Sequence, residues 1–179
     1  MNIVLIGLRA CGKSSVSRHL SRLSKRPVLS TDLLVSYEQG GRSIADIVTA
    51  CQGDWRSFRD MEYAVACKAA VLDGIIIDCG GGMVVDWDDQ GREMFSARKV
   101  SVLKKNGFVV WLQGDVQRLA QKVQGDATRP ALSDSLDIAE VMERRLPFYR
   151  QAADWTVDIE GKTRKELAQE NMHHVGQHL

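Results

Sequence analysis

The sequence predicts an α/β fold, a five-stranded parallel sheet flanked by helices, and three observations carry that expectation. Short apolar runs alternate with segments of helical periodicity, the order that parallel βαβ units produce. The first run, Ile3-Val4-Leu5-Ile6, is apolar on both faces, as a strand in the middle of a parallel sheet must be. It leads directly into Gly7-Leu8-Arg9-Ala10-Cys11-Gly12-Lys13-Ser14, a G-x-x-x-x-G-K-S loop that opens a helix.

Taken in order, strands are expected at Asn2–Ile6, Pro27–Thr31, Gly74–Cys79, Phe108–Leu112 and Trp155–Asp158. Helices are expected near Lys13–Leu23, Ser43–Cys51, Trp55–Leu72, Phe95–Lys104, Val116–Lys122, Ile138–Ala152 and Arg164–Gly176. In the third helix Phe58, Met61, Val65, Ala69 and Leu72 recur at helical spacing, which makes them a core stripe. Thr163 with Glu166 forms a capping box at the start of the last helix. Residues 125–137 are rich in Gly, Asp, Ser, Thr and Pro and lack periodicity, so they read as a mobile loop. There is no repeat, low-complexity segment or linker, and 179 residues suit one domain.

Bulk properties narrow the function. A net charge of +1 gives no electrostatic reason to expect nucleic acid or a membrane surface as a partner. The four cysteines (Cys11, Cys51, Cys67, Cys79) have no CxxC spacing, so they read as free thiols in a reducing cytosol. The first apolar stretch is too short to span a bilayer, and Lys13 and the glycine loop interrupt it where a signal peptide stays apolar. A cytoplasmic chain is the expectation, and without an extended amphipathic seam, a monomer. The histidines at the end (His173, His174, His178) lack an acid or thiol partner at metal spacing and read as a solvated helix terminus.

The chemistry starts at the loop. Its glycines let successive N–H groups turn around a polyphosphate, and the free N–H groups at the helix start add positive dipole density. Gly7, Ala10, Cys11, Gly12, Lys13, Ser14 and Ser15 are therefore the expected contacts to a nucleoside triphosphate, with Lys13 neutralising the β/γ-phosphates and Ser14 ligating Mg²⁺. Ala10 stands where many such loops carry glycine, and is expected to keep a negative φ. Asp32 follows a strand at the carboxyl edge of the sheet, where ligands of open α/β folds collect; it equally suits the N-cap of a segment beginning at Leu33. Gly80-Gly81-Gly82 let a backbone come close to a ligand. Gly74-Ile75-Ile76-Ile77-Asp78 is a Walker-B pattern, in which Asp78 supports the metal held by Ser14; the other reading is a strand-end aspartate bonded to loop N–H groups.

The ordered set of Gly41-Arg42-Ser43-Ile44-Ala45-Asp46-Ile47, Phe58-Arg59-Asp60-Met61-Glu62, Gly80-Gly81-Gly82, Thr128-Arg129-Pro130 and Arg145-Leu146-Pro147-Phe148-Tyr149-Arg150 resembles the shikimate kinase family. The resemblance implies a phosphate-loop fold of the nucleoside-monophosphate-kinase type, with a mobile lid near residues 123–137 and a substrate region near 31–62. It implies transfer of the ATP γ-phosphate to the 3-hydroxyl of shikimate, with Mg²⁺. It places Arg59 and Arg145 on the substrate carboxylate, Asp32 on its hydroxyls, Gly80, Gly81 and Gly82 beside it, and Arg129 on the triphosphate. Lys13, Asp32 and Arg129 are thereby the catalytic set. Lys122 and Lys162 fall at or near positions where family arginines flank the adenine; lysine stacks on a base less well. The family pattern after the second strand is D-x-D, and here the first carboxylate is Ser30. Asp78 is expected to supply the missing charge. The same residues also suit a kinase for a related acid such as quinate or gluconate, or a homologue that binds without turnover.

Overall fold

The computed structural model describes residues 1–52, 54–124 and 137–178. The chain runs β1 (Asn2–Ile6), α1 (Lys13–Ser24), β2 (Val28–Ser30), α2 (Thr31–Glu38), α3 (Ile44–Ala50), α4 (Trp55–Ala70), β3 (Ile76–Asp78), β4 (Val85–Trp87) and β5 (Glu93–Phe95). It continues as α5 (Ala97–Lys104), β6 (Gly107–Gln113), α6 (Val116–Val123), α7 (Ile138–Ala152), β7 (Trp155–Asp158) and α8 (Arg164–Gly176). Five strands form one parallel sheet in the order β2-β3-β1-β6-β7. Every residue of β1 is buried, because helices cover both of its faces. From β1 the chain first goes to one side of the sheet and later to the other, so the crevice at its carboxyl end is the place where such folds hold ligands. The phosphate loop occupies it.

Differences from the expectation concentrate around that crevice. The strand expected to reach Thr31 stops at Ser30, whose Oγ accepts from Leu33 N at 3.4 Å and caps α2. The cap is therefore Ser30 and not Asp32, which lies in the first turn. The sequence suggests this helix only through that cap and not through a stripe, because α2 has little amphipathic contrast and leaves Leu33 and Tyr37 exposed. The helix expected from Phe95 begins only at Ala97. Phe95 instead closes an antiparallel hairpin in which Val85, Asp86 and Trp87 face Phe95, Met94 and Glu93. Its turn is built by Asp88, whose carboxylate accepts from the backbone N–H of Gln90 and Arg92 at 2.9 Å, and by Gly91 at φ +74°. α4 ends at Ala70, which leaves Leu72 outside the core stripe and exposed, whereas Phe58, Val65 and Ala69 are buried.

The hydrophobic interior has two parts. The larger surrounds the sheet. A smaller one of Val35, Ile47, Val48, Phe58 and Val65 lies among α2, α3 and α4 and gives the region that carries Asp32 and Arg59 a base of its own. The capping box of Thr163 and Glu166 is present at α8. Among the described residues no helix is long and apolar enough to cross a membrane. Arg129, and the expected lid apart from residues 123, 124 and 137, lie outside the described residues.

Candidate active site

The phosphate loop curls between β1 and α1. Gly12 is the N-cap of α1 at φ +97°, and no side chain caps that helix, so its leading N–H groups stay available to an anion. Lys13 is buried, and its Nζ donates to the carbonyls of Gly7 at 2.8 Å and Leu8 at 3.0 Å, which hold the ammonium inside the curl. The Cys11 thiol is buried under the loop, 2.9 Å from where a Cβ on Gly7 would stand, so that glycine is needed for packing. Ala10 does not keep the expected negative φ: it sits at +62°, in the left-handed region, exposed at the rim. The turn that points the loop's N–H groups inward imposes this conformation on whichever residue stands there.

A cleft of about 270 Å³ opens in front of the loop. Lys13, Ser14 and Ser15 line it, and Ser30, Asp32 and Asp78 close its far side. A second, smaller cleft adjoins it, lined by Arg59, Glu62, Arg145 and the rings of Trp55 and Phe58. The two share Arg9, Asp32 and Gly81. A cleft bordered by the glycine loop and a cleft bordered by two buried arginines thus meet at Asp32. Arg9 lines both, and no sequence signal beyond its place inside the loop singles it out.

The three glycines do more than bring backbone near a ligand. A Cβ at Gly80 would stand 2.1 Å from Asp32 Oδ1, one at Gly81 would touch Arg9 Cγ at 3.4 Å, and one at Gly82 would stand 2.0 Å from Arg59 Nη1. Each glycine leaves room for one charged side chain at the junction. Gly81 and Gly82 line the clefts; Gly80 acts through Asp32. Tyr149, from the Arg145–Arg150 motif, ties this segment to the phosphate loop: its hydroxyl lies 2.5 Å from Gly81 O and 3.1 Å from Gly7 O. Burial pushes that phenol well above its ordinary pKa, so it stays a donor.

Arg59 and Arg145 are both 3% exposed, and each is held by a glutamate: Glu62, the last residue of the Phe58–Glu62 motif, and Glu93, which no motif marks. Glu62 accepts from Arg59 Nη1 at 2.8 Å and from Lys99 Nζ at 2.9 Å. Burial drives the Glu62 carboxyl upward, but the charges of Arg59 and Lys99 outweigh it and leave the group below the usual carboxylate range. Glu93, from the hairpin, accepts from Arg145 Nε at 2.9 Å and from Nη2. Arg59 Nε is buried without an acceptor among the described residues, which leaves a donor for an anion in this cleft. The i, i+3 spacing of Arg59 and Glu62 signals the first pair; the second joins distant parts of the chain and has no local signature.

Asp78 ends β3 directly beside Ser30 in the sheet register. It is 5% exposed and makes no side-chain hydrogen bond or ion pair among the described residues. The nearby N–H of Gly80 goes to Thr31 Oγ1 at 2.8 Å, and that of Cys79 to Leu5 O at 3.1 Å, so the expected alternative of loop donors on Asp78 is not met. Such a carboxylate facing Ser14 across the cleft fits a cation. Among the described residues no cluster of three or more His, Cys, Asp or Glu side chains that could hold a metal occurs, here or elsewhere.

On the far side Lys122 and Lys162 line an open depression of about 430 Å³ together with Arg118 and Arg164, so the structure brings the two expected lysines together. Lys162 is paired with Glu170 at 2.7 Å. Arg164 packs its guanidinium onto Gly12, 2.5 Å from where a Cβ would be, and belongs to no sequence motif.

Comparison with known proteins gives the family and the fold. The shikimate kinase family model matches residues 9–175. The shikimate kinase of Leptospira biflexa serovar Patoc is 42% identical over 98% of this chain and 96% of its own length. That of Leptospira borgpetersenii serovar Hardjo-bovis is 40% identical over 97% of each. The structure of a shikimate kinase from Acinetobacter baumannii in complex with shikimate superposes with a TM-score of 0.83, at 26% identity over 99% of this chain and 93% of that one.

Proposed function

The chain belongs to the shikimate kinase family, and from that premise we propose that it transfers the γ-phosphoryl group of ATP to the 3-hydroxyl of shikimate. The observation that carries the reading is the pair of adjoining clefts that share Asp32: one has phosphate-loop chemistry, the other two buried arginines for a carboxylate. Lys13 and the α1 N-terminus hold the phosphates, and Arg59 and Arg145 grip the acid, since a guanidinium fork matches a carboxylate as lysine cannot. Asp32, at the junction, orients the attacking hydroxyl and accepts its proton as the O–P bond to the acceptor forms and the bond to ADP breaks. Arg129 is assigned to the transferred phosphoryl group and Lys122 and Lys162 to the base.

Mg²⁺ supplies charge neutralisation on the phosphate oxygens when bound, and Ser14 with Asp78 suits it. The reading includes a cytoplasmic monomer organised as one domain.

A coupled ADP-release assay with shikimate, quinate and gluconate tests the reading. Release with shikimate alone is expected. Release only with another acid assigns a related kinase, and silence with measurable ATP binding assigns a non-catalytic homologue. For the metal, Asp78→Asn should raise the Mg²⁺ concentration needed for half-maximal turnover about tenfold. An unchanged requirement removes Asp78 from the metal site.

A further inference from the structure

The β4–β5 hairpin, absent from the sequence expectation, is fastened to the acid cleft at three points. Trp87 stacks on Trp55, a wall of that cleft, with ring centroids 6.4 Å apart and planes 5° from parallel. The Val85 carbonyl accepts from Lys99 Nζ at 2.6 Å, and the same ammonium holds Glu62 behind Arg59. Glu93 takes Arg145 with both carboxylate oxygens, and the two side chains are 9% and 4% exposed.

The geometry of this last pair decides its role. A guanidinium is a rigid fork of five N–H donors. Glu93 occupies the Nε–Nη2 edge and does not itself line the cleft, while Arg145 does. Nη1 makes no hydrogen bond among the described residues. Glu93 therefore stands behind Arg145 and leaves the Nη1 donors for the cleft, as Glu62 stands behind Arg59. An arginine on a long, rotatable stem reads a carboxylate well only if its plane is fixed beforehand.

We propose that Glu93 is a positioning residue for the acceptor acid, delivered by the hairpin to aim Arg145 into the cleft. This rests on the reading that Arg145 grips the substrate carboxylate. Two effects of Glu93 on an anion have opposite signs. As a neighbouring negative charge it weakens the attraction of Arg145 for an acid, so its loss would tighten binding. As a clamp it fixes the fork, so its loss weakens binding. The bidentate contact favours the clamp, because the amide NH₂ of a glutamine would face an arginine N–H that needs an acceptor.

Steady-state kinetics on the full chain separate the cases, with shikimate and ATP varied in turn. Glu93→Gln should raise the shikimate KM about tenfold and leave the ATP KM within about twofold. Glu93→Asp, which keeps the charge but withdraws it by one methylene, should fall between. In an Arg145→Met background Glu93→Gln should change the shikimate KM no further, since its effect passes through that guanidinium. The proposal is overturned by a lowered or unchanged shikimate KM in Glu93→Gln, or by the full effect persisting without Arg145. It is equally overturned if both KM values and the melting temperature move together, which would make the hairpin a matter of folding. Failure of the underlying reading looks different: Arg145→Met itself would then leave the shikimate KM unchanged.

Discussion

Replacing Gly82 by alanine isolates the acid cleft with a single methyl group. The backbone there is outside the left-handed region, so alanine brings no conformational strain of its own. Its Cβ would lie 2.0 Å from Arg59 Nη1 and 2.8 Å from Cζ, where ordinary contact begins at 3.4 Å. The guanidinium must retreat by about 1.4 Å, the difference between 3.4 and 2.0 Å. It has little room, being buried, bonded to Glu62 at 2.8 Å and stacked 5.2 Å from the Trp55 ring centroid. The stability cost should stay near 1–3 kcal/mol, roughly that of a modest overpacking, because only the far end of one side chain moves. Function should suffer more, since a misplacement of about 1 Å in a positioning group costs about 100-fold. We expect kcat/KM for shikimate to fall by about that factor through KM in coupled ADP-release kinetics at saturating ATP, with the ATP KM unchanged when ATP is varied at saturating shikimate. Gly80→Ala is the companion: its Cβ would meet Asp32 Oδ1 at 2.1 Å, so its loss should appear in kcat. Wild-type shikimate kinetics in Gly82→Ala, or one kinetic signature shared by both variants, would refute the assignment of each glycine to its own charged neighbour.

Three further outcomes follow from the same geometry. Ala10→Gly relieves an alanine at φ +62° and should stabilise the chain by about 0.5–1 kcal/mol, an increase of about 1–4 °C in melting temperature; a decrease would contradict the strain. Lys99→Met strips Glu62 and the Val85 carbonyl of a fully buried partner and should cost about 3 kcal/mol in urea unfolding, and a loss below about 1 kcal/mol would count against the buried network. Glu62 is held below its ordinary pKa in the fold, because Arg59 and Lys99 together outweigh its burial. Its contribution is then fully present above the unfolded value of about 4.3 and is lost as pH falls through the lower folded value. Unfolding free energy should drop below about pH 4, and more steeply in the wild type than in Glu62→Gln.

Much of the sheet and of the donor half of the site is legible in the sequence because both are local. A strand buried on both faces is a continuous apolar run, and the Gly7–Ser14 loop is one contiguous segment whose curl its own glycines shape, so motif and cleft wall coincide. The acceptor half is assembled across long sequence separations. Glu93 meets Arg145, Lys99 meets Glu62 and Tyr149 meets Gly7, and no periodicity encodes such pairs. The hairpin is hidden because Val85–Trp87 and Glu93–Phe95 are too short to alternate convincingly, and α2 because its exposed Leu33 and Tyr37 spoil the stripe. The core stripe of α4 runs one residue too far for a similar reason: Leu72 keeps the spacing after the helix has ended at Ala70. Ala10 fails at another level, since the sign of φ belongs to the turn and not to the residue.

The serine at position 30 is the feature that most invites a reading of decay, and the sheet register argues against it. Ser30 and Asp78 are paired residues of adjacent parallel strands, which run about 4.8 Å apart. Two carboxylates at those positions would face one another in a half-buried cleft and repel. A chain with aspartate at 78 is therefore better served by a neutral group at 30, and serine has the further merit of capping α2 through its Oγ. That cap fixes the first turn of the helix that presents Asp32 at the junction of the two clefts. A decaying site loses charges one by one without replacement. Here Asp78 ends the strand beside Ser30 and lines the same cleft as Ser14, while Ser30 caps the helix that carries Asp32.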